Sequence, residues 1–184
     1  LSLRSTTFDV VTTPRFDDVA VDDLFAGEVL GLVESGITSG CTSSSFCPRG
    51  VVTRGQMAAF LVRALDLPRV PGDSFSDDDG SFFESDIEAL RASGITAGCT
   101  TTTFCPDRMV TRAEMAAFLL RGFGLDAAPG DTFLDVEGSF FQSDIEVLVA
   151  SGVTSGCTPT RYCPTAPVTR EQMAAFLIRA LAVE

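Results

Sequence analysis

One spacing dominates this chain. Cys41, Cys99 and Cys157 lie 58 residues apart, and so do Arg54, Arg112 and Arg170, and Met57, Met115 and Met173. Whole strings recur with them: GCTSSSFCP, GCTTTTFCP and GCTPTRYCP, then VTRGQMAAFL, VTRAEMAAFL and VTREQMAAFL. A period of this length means that a supersecondary unit is repeated, and that each copy is completed by its neighbours. The copies span residues 16–67, 75–125 and 133–184, with residues 1–15 outside them as a tail or linker. The chain starts at Leu1 with no basic stretch before an apolar core, which suits a mature or trimmed product.

Each copy predicts two helices. The first is expected to begin at Asp23, Ser81 or Ser139, with Glu84 and Gln142 completing capping boxes in the last two copies. Phe83, Ile87 and Leu90 then share one face. Gly36, Gly94 and Gly152 supply the left-handed residue that ends such a helix. The second helix is expected to start at Thr53, Thr111 or Thr169, with Gln56, Glu114 or Gln172 three positions on. It is apolar around most of its circumference, and a lone hairpin buries too little surface to cover it. The expected architecture is therefore all-α: three helical hairpins in a pseudo-threefold unit around a central three-helix bundle. The Pro- and Gly-containing stretches LPRVPGDS and LDAAPGDT join the copies.

Each copy holds one Cys-x5-Cys pair. Recurrence of one pair per unit favours local disulfides, Cys41–Cys47, Cys99–Cys105 and Cys157–Cys163, over the other pairings six cysteines allow. Two sulfurs per copy and no His do not make a structural zinc site, so no metal and no cofactor are expected. Persistent disulfides imply an oxidising, extracytoplasmic setting. No apolar run approaches the ~20 residues needed to cross a bilayer, and the run Asp77-Asp78-Asp79-Gly80 lacks the EF-hand ligand spacing.

With 25 acidic and 13 basic residues the net charge is −12, which repels nucleic acid and anionic membranes at long range. The absence of His excludes the usual nucleophilic triads. Carboxylate-pair chemistry is left open by composition. The polar signals, however, are spread over three near-equivalent copies, whereas a catalytic site usually occurs once, so no enzyme is expected within this segment.

The ordered string Phe-x-Asp (Phe16/Asp18, Phe75/Asp77, Phe133/Asp135), a helix, Gly94-Ile95-Thr96-x-Gly98, Phe-x-Pro (Phe46/Pro48, Phe104/Pro106) and Val-Thr-Arg resembles the S-layer homology repeat, three times over and across nearly all of residues 16–184. The third copy varies it with Val153 and Tyr162. The resemblance implies a cell-surface module that attaches non-covalently to cell-wall polysaccharide in grooves between repeats, with pyruvylated or otherwise anionic polymers as ligands. By position it implies that Arg54, Arg112 and Arg170 contribute to those grooves. Self-association in a surface lattice is the alternative. The chain departs from the family at Leu24, Phe82 and Phe140, where Trp is usual, and at Gln56 and Gln172, where only Glu114 keeps the acid.

An Arg at the first helical position opposes the helix dipole, so three such arginines point to another task. A guanidinium fork and nearby helix-terminal N–H groups suit a carboxylate or phosphate; the competing role is an ion pair with Asp18, Asp77 or Asp135. Those Asp residues are expected to cap turns, with a groove role as the alternative. Gln56, Glu114 and Gln172 serve reciprocal capping before any ligand contact. Phe82 and Phe140 are expected in the core rather than on a sugar face.

Overall fold

The computed structural model describes residues 15–128 and 133–183, so most of the N-terminal tail and part of the second linker lie outside the described residues. Within them the chain is all-α. Its six helices are α1 (Ala26–Glu34), α2 (Arg54–Ala64), α3 (Glu84–Ala92), α4 (Arg112–Phe123), α5 (Gln142–Ala150) and α6 (Arg170–Leu181). No strand forms among the described residues, only isolated bridges such as Thr53 with Met109 and Thr111 with Pro167.

The second helices begin where the sequence places them. Thr53, Thr111 and Thr169 are N-caps, and each accepts from the N–H three residues on, while Gln56, Glu114 and Gln172 return the bond to the cap N–H. These helices bury most of what they carry; in α4, Met115, Ala116, Ala117, Phe118 and Leu119 are all inside.

The first helices start later than expected. Their N-caps are Phe25, Phe83 and Phe141, and no side chain caps them. Ser81 and Ser139 instead hold a preceding turn, their Oγ atoms accepting from the Phe83 and Phe141 N–H. Glu84 and Gln142 reach back one residue further than a capping box would, to the N–H of Gly80 and Gly138. A serine two residues before the N-cap competes locally by taking the N–H of the cap residue itself. At the far end the expectation holds. Gly36 sits at φ +70°, its N–H bonds to Val33, and the next N–H, of Ile37, bonds back to Leu32, the paired bonds of a Schellman ending.

Helix pairing runs between repeats. Helix α2 packs on α3, α4 on α5, and α6 returns to α1. Each second helix therefore covers the first helix of the next repeat, and the last covers the first. Of the expected inner bundle, α4 packs on α6. Backbone bonds close the same circuit: the Val110 N–H donates to Val52, Val168 to Val110, and Val52 to Val168, each at 3.0 Å. Within repeats, Phe16 packs on Phe46, Phe75 on Phe104 and Phe133 on Tyr162, with ring centres 5.7–5.9 Å apart. The three local disulfides are formed, with Cα–Cα distances of 6.0, 6.2 and 6.0 Å.

Candidate functional site

The three arginines lie at the seams between repeats. The Arg54 N–H donates to the Arg108 carbonyl and the Gly55 N–H to Pro106; the Arg112 and Ala113 N–H groups go to Ala166 and Pro164, and those of Arg170 and Glu171 to Gly50 and Pro48. With the third N–H taken by the capping threonine, the first turn of each second helix has no free donor for an anion. This corrects the expectation that those N–H groups assist in ligand binding. Carbonyls from the neighbouring repeat arrive first, a long-range pairing that no local pattern announces.

The side chains follow the same rule. Arg54 Nε donates to the Phe104 carbonyl at 2.7 Å, Arg112 Nε to Tyr162 at 2.8 Å and Arg170 Nε to Phe46 at 2.7 Å. Each guanidinium lies between two rings: Arg54 over Phe104 and Phe118, Arg112 over Tyr162 and Phe176, Arg170 over Phe46 and Phe60. The three residues are only 3%, 5% and 9% exposed, and each Nη2 is buried without a partner. Burial pushes all three pKa values below the usual arginine value; Glu114 offsets this at Arg54, Tyr162 and Asp135 at Arg112, and Asp18 at Arg170. The charge nevertheless persists, because arginine does not deprotonate in proteins.

The aspartates do not pair directly with these arginines. Asp18 accepts from the Phe46 and Cys47 N–H groups, Asp77 from Phe104 and Cys105, and Asp135 from Tyr162 and Cys163. Each therefore holds the disulfide loop whose carbonyl receives the neighbour's Arg. For Asp135, burial alone would raise the pKa, and the two loop N–H bonds outweigh it and hold it low. In the first seam the carboxylate beside Arg54 is Glu114, 3.8 Å from Nη1 and also ion-paired with Arg108. Burial tends to raise the Glu114 pKa, and the Thr111 N–H, Arg108 and Arg54 together bring it below the usual carboxylate value.

Two grooves open along the seams. The α4 groove, about 350 Å³, is lined by Arg54, the loop Thr96–Cys99, Arg108, Glu114, Arg121 and Phe140. The α6 groove, about 450 Å³, sets Arg112, Thr154–Cys157, Gln172, Arg179 and Leu24 in the same places. Each wall thus combines residues from different repeats. Asp18 lines another hollow, of about 530 Å³, with Asp23, Arg49 and Glu171.

Three features escaped sequence reasoning. Phe82 and Phe140 are 84% and 89% exposed, not core, because each stands edge-on against the next ring, Phe83 or Phe141, which turns inward in its stead. Arg63, Arg121 and Arg179 recur at the 58-residue period in the second helices, a signal that was present in the sequence, and Arg121 and Arg179 line the α4 and α6 grooves. Asp78 occupies the position of Val19 and Val136 and is 2% exposed, with Oδ2 unpartnered. Burial and then Glu88 raise its pKa to about 6.

Tandem two-helix repeats that pair their helices across the seams, with grooves whose walls come from different repeats, define a repeat-built module. The chain belongs to the S-layer homology domain family, which it matches at residues 15–58, 74–116 and 132–174. It is 28% identical over 171 residues to an S-layer protein of Bacillus thuringiensis subsp. finitimus, a match covering 89% of this chain and 21% of that protein. The S-layer protein sap of Bacillus anthracis gives the same identity and coverage. An endoglucanase of Bacillus sp. (strain KSM-635) is 28% identical over 130 residues, 65% of this chain and 14% of the enzyme. The chain thus spans about a fifth of the length of its surface-layer relatives, and in the enzyme the family segment is an attached part. Domains of this family are cell-wall anchoring modules, which places the chain at the cell surface in association with the wall.

Proposed function

We propose that this chain is a non-covalent, non-catalytic anchor that holds an acidic cell-wall polysaccharide in the grooves between its repeats. The reading rests above all on one observation: the α4 and α6 grooves each place a positively charged, aromatic-sandwiched arginine at a wall shared by different repeats. Such a guanidinium is fixed by its stack and its carbonyl bond, so its charge acts on a carboxylate or phosphate in the groove without reorganising. Sugar hydroxyls would meet the Thr96 and Thr154 loops. Arg54 and Arg112 supply charge at the inner ends of these grooves, and Arg170, which lines neither, holds the third seam; Glu114, Gln56 and Gln172 shape the seams through their caps; Asp18, Asp77 and Asp135 act indirectly, by fixing the loops. In this reading the three repeats form one pseudo-threefold unit around α2, α4 and α6, and related grooves act together on one polymer through effective concentration.

The test is co-sedimentation with purified wall, before and after chemical removal of its non-peptidoglycan polymer. Binding lost with the polymer supports the reading; binding that survives its removal refutes it. A second reading, self-association in a surface lattice, draws on apolar side chains exposed outside the two grooves, Val21, Met109 and Leu134. Light scattering that shows assembly without any polymer favours it over the anchor.

A further inference from the structure

The seams are not equivalent, and the last-turn arginines of the second helices separate them. Arg63 is engaged, its Nη1 donating to the Ile37 carbonyl at 3.2 Å. Arg179 is engaged as well, paired with Glu28 of α1 at 2.9 Å. Arg121 has no hydrogen bond or ion pair among the described residues and stands exposed in the wall of the α4 groove. The acid on the packed first helix differs by one methylene: where Arg179 pairs with Glu28, the corresponding residue beside Arg121 is Asp144, and no ion pair forms between them. Asp144 accordingly keeps a pKa raised by burial, drawn back only in part by Arg121.

The same groove differs in its aromatic wall. Phe140 stands there, 89% exposed and held edge-on by Phe141 at 5.1 Å. Leu24 is its counterpart in the α6 groove. A flat ring packs on the C–H face of a sugar, and a branched aliphatic chain offers no such plane. Only the α4 groove therefore combines an uncommitted guanidinium with an exposed ring. Arg108 does not change the comparison, since its charge is directed at Glu114.

We propose that the α4 groove is the principal glycan site, with Arg121 selecting for an acidic substituent and Phe140 packing on the ring that carries it, while the α6 groove is a weaker auxiliary site. This rests on the reading of the chain as a glycan anchor. Arg121 and Phe140 then determine specificity, and the buried Arg54 provides background charge at the inner end of the groove.

Titration calorimetry with the anionic polymer released from purified wall, native and carboxyl-reduced, tests this. The variants are Arg121→Gln, Phe140→Ala, Arg179→Gln and Leu24→Ala in the full chain, each checked for an unchanged melting profile. Losing a charge-assisted contact should weaken binding of the native polymer about tenfold for Arg121→Gln. The carboxyl-reduced polymer should bind this variant and the unaltered chain alike. Phe140→Ala should weaken both polymers, and Arg179→Gln and Leu24→Ala should change either by less than about twofold. Leu24→Phe should strengthen binding at the α6 groove. Equal losses for Arg121→Gln and Arg179→Gln, or no loss for Arg121→Gln, overturn the ranking and leave the anchor standing. No binding of either polymer by the unaltered chain overturns both.

Discussion

The seams and the fronts of the repeats obey different rules. At every seam the same set recurs: a capping threonine, an arginine under an aromatic ring, two N–H groups received by the neighbour's carbonyls, and an aspartate holding the loop. At the fronts several positions are renegotiated. Val19 and Val136 correspond to Asp78, Leu24 to Phe82 and Phe140, Glu28 to Asp86 and Asp144. The seam closes the circuit of helices, so a change there is felt by two repeats. A front side chain takes no part in that backbone circuit, even where it meets a neighbouring repeat as Glu28 meets Arg179, which leaves it freer to diverge.

The largest effect is expected at a seam, from Arg54→Ala. It strands the Phe104 carbonyl and empties the space between Phe104 and Phe118, and the expected loss is about 3 kcal/mol. Denaturant titration of the variant should show a lower midpoint. A loss below ~1 kcal/mol would mean that the seam does not carry the fold. Next, replacing Cys99 and Cys105 together by alanine should cost about 2 kcal/mol in the same assay by freeing a short loop in the unfolded chain.

A front position should behave in the opposite sense. Asp78 is raised to about 6 from the ordinary aspartate value of 3.8, so between those pH values the folded chain holds a proton that the unfolded chain has released. Its contribution to stability is full below about pH 4 and is lost as pH rises through about 6. Asp78→Val, which restores what the other repeats carry, should therefore stabilise the chain at pH 7 by about 2 kcal/mol and flatten the dependence of melting temperature on pH between 4 and 6. Smaller again is Thr111→Ala, which removes one cap at a cost of about 1 kcal/mol, read by thermal melting. Last, Phe82→Ala should change stability by less than ~0.5 kcal/mol, since its ring is exposed.

Much of this was legible because the repeat compares itself. The Thr-x-x-Gln and Thr-x-x-Glu strings located the second helices to the residue, the Cys-x5-Cys recurrence located the disulfides, and Gly36 marked a helix end. What failed was non-local. The first helices begin late because Ser81 serves a turn instead of a cap, a choice between two local bonds that only packing decides. The role of Arg54 was ambiguous because its partner, the Phe104 carbonyl, comes from another repeat, and a main-chain acceptor has no signature in a side-chain pattern. The loop-holding role of Asp77 was open for the same reason, and Phe82 and Phe140 were misplaced because adjacent phenylalanines do not declare which one turns inward. That Arg121, unlike Arg63 and Arg179, has no side-chain partner among the described residues, with Asp144 where α1 carries Glu28, shows only once α4 and α5 are known to pack together.

Hydrogen–deuterium exchange of the full chain, with and without the purified anionic wall polymer, tests most directly whether ligand sits between repeats. Slowed exchange is expected in the loop at residues 96–99, in α4 around 114–121 and just before α5 near 140–141, with weaker slowing at 154–157 and 172–179. Protection confined to a single repeat, or limited to exposed turns away from these segments, would contradict a ligand seated between repeats.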